Sequence, residues 1–357
     1  MIVTQRGFLD FLGMGETRFL IPPYQRIYSW NTSQCEELWL DVLRAGRADR
    51  NHFLGTVLYS RSAAAEGMNV LELIDGQQRV TSVSLIILAL ARQVRDAAIE
   101  GVDVDALESR YLFVDDPAGK GRIARFTPSR SDAESYACEL RGTRPERLTA
   151  ITRNLDFFLS KMQQDDFDPA TLVRGLERLM IISVEVEDAS EAQLIFEGIN
   201  SKGVPLNLAD MVRNYLLLSE DYDRQTYLFE TYWTMSQEMF APDPGSLRLN
   251  TAIKSWLSIR LKGARILSPE QTYSSFKKYV EDVYQGDKEP ILRELRGFCL
   301  MWAENYRYHG VKKFKSGSNW AELGAPAITA GRKLKKADNE EYAERVRREL
   351  RETDMRW

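Results

Sequence analysis

The sequence predicts an α+β protein: a mixed α/β unit of roughly 200 residues followed by an all-helical unit. Three observations predict this. Short β-rich runs alternate with helical patterns up to about residue 186. A strand, an Asp-Gly turn and a long helix follow one another directly between residues 70 and 96. Beyond Leu218 nearly every segment has helical periodicity. The division is drawn at residues 1–205 and 206–357.

Composition narrows the class before any motif is read. The chain has 357 residues, 44% of them hydrophobic and 28% charged. That supplies a sizeable core and argues against disorder. Formal net charge is -4, so any nucleic-acid contact must come from a local basic surface. The three cysteines, Cys35, Cys138 and Cys299, are far apart and make no CxxC pair, which argues against a disulfide framework and a zinc site and suits a reducing cytoplasm. With only His52 and His309, a His-rich metal site cannot be assembled. The N-terminus lacks a signal-peptide pattern, and the apolar stretch Leu85 to Ala91 is too short for a membrane span.

The elements follow in order. Phe19 to Ile21 reads as a strand, ended by Pro22-Pro23, which holds Tyr24-Gln25-Arg26 in a stiff loop. Ser33 and Glu36 have capping-box spacing, and the helix they open carries Cys35, Leu38, Trp39, Val42 and Leu43 on one face. His52 to Ser60 and Val70 to Ile74 read as strands joined by a hairpin loop at 61–68. Asp75-Gly76 turns the chain into a helix from Gln77 to about Asp96, apolar on most sides and therefore buried. Arg122 to Phe126 reads as a strand after the Gly119-Lys120-Gly121 loop. Helices are expected at Leu148 to Met162 and Thr171 to Met180, a strand at Ile181 to Val186, and a helix at Glu191 to Ile199. Asn207 caps a helix beginning at Leu208, with Asp210 at its third position. Ser268-Pro269-Glu270-Gln271 is a further helix start.

Four segments carry candidate chemistry. At Asp75 to Arg79 a helix N-terminus offers unpaired N–H groups to an anion, and Arg79 adds a forked donor suited to phosphate. Gln77 and Gln78 can position water or read a base edge, and Asp75 can hold a metal ion. The plainer reading is that Asp75 caps the helix and Gly76 makes the turn. No GxxxxGK[ST] loop occurs. The loop from Pro22 to Trp30 brings together Tyr24, Gln25, Arg26, Tyr28 and Trp30, a set suited to stacking a base and touching a phosphate. Tyr28 and Trp30 read equally as core anchors. Phe196 to Asn214 reads as a well-capped helix–turn–helix. Lys120, Arg122, Arg125 and Arg130 form a basic run suited to a phosphate backbone or to a solvated hairpin. The Arg332-to-Arg351 region reads as an exposed helix face.

Taken in order, Ile-Pro-Pro-Tyr-Gln-Arg-Ile-Tyr-Ser-Trp (21–30), His-Phe-Leu-Gly-Thr-Val (52–57), Ile-Asp-Gly-Gln-Gln-Arg-Val-Thr-Ser (74–82) and Phe-Glu-Gly-Ile-Asn-Ser-Lys-Gly-Val-Pro-Leu-Asn-Leu-Ala-Asp (196–210) resemble the N-terminal domain of GmrSD-type, modification-dependent restriction enzymes, including phosphorothioation-sensing ones. The resemblance spans roughly residues 5 to 220. It implies a ParB/sulfiredoxin-like fold with a helical extension. It also implies a site at Asp75 to Arg79 that hydrolyses GTP or ATP with Mg2+. Asp75 and Gln78 would organise metal and water, and Gly76, Gln77, Arg79 and Thr81 would bind the nucleotide. Modified double-stranded DNA would engage Tyr24 and Gln25. Arg26, Tyr28 and Trp30 are added to that contact from their place in the same loop. An apolar edge near Pro22, Pro23 and Tyr24 would suit sulfur in the backbone.

The family's nuclease is a separate His-Asn-His domain with an H-x-x-P core. His309 is followed by Gly310-Val311-Lys312, so the nuclease is expected on a missing C-terminal part or another chain. The ending at Trp357, straight after a charged helix, favours truncation. Three readings stand: a nucleotide-hydrolysing sensor of modified DNA, a binding module without turnover, and a nuclease in its own right, which no clustered carboxylates or histidines favour.

Overall fold

The computed structural model describes residues 1–62, 68–97, 102–187, 192, 195, 206–240, 246–261 and 268–314. The chain separates into two compact units, Met1–Ile199 and Asn200–Trp357. The first is mixed α/β and the second helical.

In the first unit, strand β1 (Ile2–Gly7) leads into a short helix α1 (Phe8–Leu12), then β2 (Thr17–Leu20) and α2 (Thr32–Ala48). Strands β3 (His52–Arg61) and β4 (Asn69–Asp75) precede the long helix α3 (Gln77–Ala97). A turn of helix α4 (Val104–Leu107), strands β5 (Phe113–Asp115), β6 (Arg122–Ala124) and β7 (Phe126–Thr127), helices α5 (Arg130–Leu140), α6 (Ala150–Met162) and α7 (Pro169–Glu177), and strand β8 (Leu179–Val186) complete it. The main sheet runs β1-β8-β3-β4-β2-β7, with β5 and β6 paired apart from it. β1 and β8 are antiparallel, β8 and β3 parallel, β3 and β4 antiparallel, and β4, β2 and β7 parallel.

The core lies between this sheet and α3. Val80, Val83, Leu85, Ile86, Ile87 and Leu90 are each 0% exposed, as a helix apolar all round requires. Helix α6 packs beside α3 with Ile151, Leu155 and Phe158 inward. Helices α2 and α7 approach through Gly46 and Gly175, where a Cβ on either would strike the backbone of the other helix.

Several expectations are refined. The cap of α2 is Asn31 with Gln34, not Ser33 with Glu36; Asn31 Oδ1 accepts from Ser33 N at 2.9 Å and Gln34 N at 3.3 Å. Two such pairs lie two residues apart here, and spacing alone cannot choose between them. The strand expected from Arg122 to Phe126 breaks at Arg125 into β6 and β7, which lie in different sheets. The helix expected to reach Met180 ends at Glu177, and β8 starts at Leu179. Strand β1 and helix α5 had no strong sequence signal. Residues 191, 193–194, 196–205 and 315–357, which carry the expected Glu191-to-Ile199 helix, most of the loop before Asn207 and the Arg332-to-Arg351 region, fall outside the described residues, as do 63–67 of the expected hairpin loop.

In the second unit, helices span Leu208–Leu217, Tyr222–Leu228, Leu247–Arg260, Pro269–Tyr284 and Glu289–Phe314, with shorter turns between. Asn207 and Ser268 cap as expected, Asn207 Oδ1 accepting from Asp210 N at 3.0 Å. Trp256 and Phe276 are wholly buried, and Glu294 is held inside by Trp256 Nε1 at 2.8 Å together with Arg260 and Tyr284. No helix among the described residues is long and apolar enough to cross a membrane.

Candidate anion site and its loop

The corner between β4 and α3 is built by backbone sterics. Gly76 has φ +92°, which L side chains rarely adopt, and a Cβ there would lie 3.0 Å from Val57 Cγ2 and 3.2 Å from Thr56 O. Glycine therefore lets the chain turn flush against β3 and start α3 at Gln77. The first N–H groups of that 21-residue helix have no partner within it, so the corner is a natural place for an anion.

Asp75 and Arg79 flank the corner. Their side chains are 22% and 26% exposed and face each other at 3.6 Å. Burial pushes the Asp75 carboxyl above its ordinary range, against the pull of Arg79, the Gly76 N–H and the Arg26 charge. Arg79 also donates to Thr56 O on β3. Its guanidinium lies over Gly55, where φ is +121° and a Cβ would sit 2.5 Å from Nη1. The register of β3 against β8 shifts between Phe53 and Gly55. That bulge places Gly55 as the seat of the arginine.

The other residues of the motif face inward. Gln78 is 8% exposed; its Oε1 accepts from Ser29 N at 2.9 Å and Trp30 N at 3.3 Å, and its Nε2 donates to Ile27 O at 3.3 Å. The water-organising role expected of Gln78 does not fit this geometry, because its amide is occupied by the loop. Gln77 Nε2 donates to Gln25 Oε1 at 3.2 Å, and Gln25 Nε2 donates to Ile74 O at 2.8 Å. Thr81, expected on the nucleotide, is 1% exposed and donates to Gln77 O at 2.8 Å, an ordinary bond back along the helix.

The loop from Pro22 to Trp30 is likewise sorted by burial. Pro22, Pro23, Tyr24 and Gln25 are buried, and Arg26 is half-buried. Tyr28 is 4% exposed; its hydroxyl bonds Ser82 Oγ at 2.6 Å and receives Asn154 Nδ2 at 3.1 Å, so as a DNA contact it is corrected to a core anchor. Burial raises its phenol well above the ordinary value. Trp30 is half-buried against the core, and its carbonyl accepts from Asn154 Nδ2 at 2.8 Å. Asp132 Oδ2 accepts from Tyr28 N at 2.6 Å. What the loop offers to solvent is Arg26, Ile27, which is 54% exposed, and Ser29.

Sequence reasoning missed Gly55, Ser82, Asp132 and Asn154. Asn154 left a trace: it falls on the apolar stripe of α6, among Ile151, Leu155 and Phe158. A polar residue at such a position is usually bonded inside. Asp132 left none. The basic run is split by the fold. Arg125 is 5% exposed and donates from Nη1 to Gly15 O at 2.8 Å and Thr17 O at 3.0 Å, and from Nε to Phe113 O at 3.2 Å. It staples β-strand ends and is not available to a phosphate backbone. Lys120 and Arg122 are exposed, Arg122 lying 4.5 Å from the Phe113 ring centroid. Among the described residues no group of three or more His, Cys, Asp or Glu side chains could hold a metal ion. Cys35, Cys138 and Cys299 are free thiols.

A glycine-turned strand–helix corner carrying an Asp–Arg pair, strapped to a proline-stiffened loop, defines the class as an α/β domain with a polar strand–helix corner. The sequence profile of the GmrSD restriction endonuclease N-terminal domain matches residues 8–217, and the chain belongs to that family. It is thus a component of a restriction system, whose partners are a nuclease domain and DNA. No curated protein matches the chain.

Proposed function

We propose that this chain is a nucleotide-hydrolysing sensor of modified DNA that governs a modification-dependent restriction nuclease. The observation that carries the proposal is the Asp75–Arg79 pair, partly exposed at the N-terminal end of a helix whose Gln77 and Gln78 are hydrogen-bonded to the loop that family resemblance assigns to DNA. The Gln77 N–H at the start of α3 and the Arg79 guanidinium hold the phosphates of GTP or ATP, while Gly76 makes the turn beside them and its N–H faces the Asp75 carboxyl. Asp75 is the carboxylate that would hold Mg2+. One carboxylate fits, because Mg2+ usually keeps several waters and shares its remaining positions with substrate phosphates. Charge neutralisation at the phosphates is what Mg2+ would supply there. Of the loop residues, Arg26 and Ser29 are the polar groups that reach solvent, whereas Tyr24 and Gln25, expected on the modified DNA, are buried.

The test is steady-state phosphate release from GTP and ATP with no DNA, plain duplex and phosphorothioated duplex. Release that falls at least 100-fold in both Asp75→Ala and Arg79→Ala is expected. Unchanged release in both would remove the catalytic assignment.

One observation favours a second reading, a nucleotide- or DNA-binding module without turnover. Gln78, the residue otherwise suited to orienting a water, has its amide engaged by the loop. Tight nucleotide binding with no phosphate release would select it.

A further inference from the structure

The two glutamines between Gly76 and Arg79 touch the loop and not the open face of the corner. Gln78 is bonded to three backbone groups of residues 27–30, two N–H groups and one carbonyl. Gln77 reaches the loop through Gln25, and the polarity of that chain is forced. Ile74 O can only accept, so the amide nitrogen of Gln25 faces it. The oxygen of Gln25 then faces Gln77, which must donate. Among the described residues Gln77 Oε1 is left buried without a partner. Loop residues are thus bonded to the residue just before Asp75 and to the two just after Gly76. From behind, Asp132 accepts from the Tyr28 N–H and Asn154 donates to the Trp30 carbonyl, which leaves the N–H groups of Ser29 and Trp30 to Gln78.

We infer that Gln77 and Gln78 are positioning residues that join the 25–30 loop to the first turn of α3, so that occupancy of the anion corner and the set of the loop change together. This rests on the nucleotide reading above. The loop cannot shift without either breaking these bonds or turning the first helical turn, whose N–H groups and Arg79 form the corner. Linkage makes the effect reciprocal: what a ligand on the loop does to nucleotide affinity, nucleotide must do to the loop. The target DNA need not be known to test it.

The experiment is amide hydrogen exchange over residues 25–31 in the full chain, free and saturated with Mg2+ and a non-hydrolysable GTP analogue, with binding followed in the same samples by calorimetry. In the wild type, exchange at Ser29 and Trp30 is expected to slow about 10-fold on binding, within the usual range of coupling. Gln78→Met is expected to abolish that change. Gln25→Met, which cuts the other arm, is expected to reduce it. Asn154→Ala, which loosens the loop from behind, is expected to keep it. Analogue that binds without altering wild-type exchange would overturn this inference alone, as would a full response in Gln78→Met or its loss in Asn154→Ala. Failure of the analogue to bind at all would overturn the nucleotide reading and this inference with it.

Discussion

Gly55→Ala is the most discriminating single change at the corner. A Cβ at residue 55 would sit 2.5 Å from Arg79 Nη1 and 3.1 Å from Cζ, so the guanidinium must retreat by roughly 1 Å to reach ordinary contact. Retreat breaks its bond to Thr56 O and loosens the 3.6 Å pairing with Asp75. A hydrogen bond to a charged group contributes about 1.5–3 kcal/mol when buried. Arg79 is a quarter exposed and can turn to water, so about 1 kcal/mol is the better figure here. The backbone adds its own cost, because φ of +121° strains alanine by about 1–3 kcal/mol. The sum is about 2–4 kcal/mol, read by equilibrium urea unfolding. The two parts separate in a double-mutant cycle: in an Arg79→Ala background the clash disappears and only backbone strain remains. Coupling of about 1 kcal/mol between the two sites is expected. Additivity within about 0.3 kcal/mol would refute the claim that Gly55 seats the arginine.

Other perturbations have equally definite outcomes. The raised carboxyl of Asp75 means that the folded state holds its proton to higher pH than the unfolded chain does. Its stabilising contribution is therefore present at low pH and lost as pH rises from the ordinary Asp range through the raised value. Asp75→Asn should flatten that part of the stability–pH curve and leave thermal stability at pH 7 equal or higher, while nucleotide hydrolysis falls; a lower melting temperature at pH 7 would contradict the sign. Asn154→Ala removes both the Tyr28 hydroxyl and Trp30 carbonyl bonds and should cost about 1–3 kcal/mol in thermal or urea unfolding. Arg125→Met strands backbone carbonyls of Gly15, Thr17 and Phe113 and should cost at least the about 1–3 kcal/mol of one buried acceptor left unmet. Arg122→Ala, at an exposed site, should stay within about 0.5 kcal/mol in the same assay.

Much of the fold was legible because its causes are local. The β4–Asp75-Gly76–α3 unit follows from an apolar strand, a residue able to take positive φ and a long apolar helix, all within a few turns of chain. The caps at Asn207 and Ser268 are decided by side chains bonding N–H groups within three residues. The ordered set of four motifs, each weak alone, was enough to reach the family.

The orientation of the site was settled elsewhere. Whether Gln78 faces a phosphate or a loop depends on Ser29 and Trp30, 49 and 48 residues away in sequence. Tyr28 is inside because Asp132 and Asn154, 104 and 126 residues on, bind its N–H and hydroxyl. Arg125 turns inward because β6 and β7 leave for different sheets on either side of it. Strand β1, with exposed Ile2 and Val3, becomes a strand through pairing with β8 at the far end of the unit. By itself, the sequence determined which residues turn, cap and carry charge, since those properties act over one or two turns of backbone. Only the tertiary structure decided which polar groups have their hydrogen bonds spent inside and which remain for a ligand, because a buried amide or hydroxyl must take whatever partner distant chain brings to it.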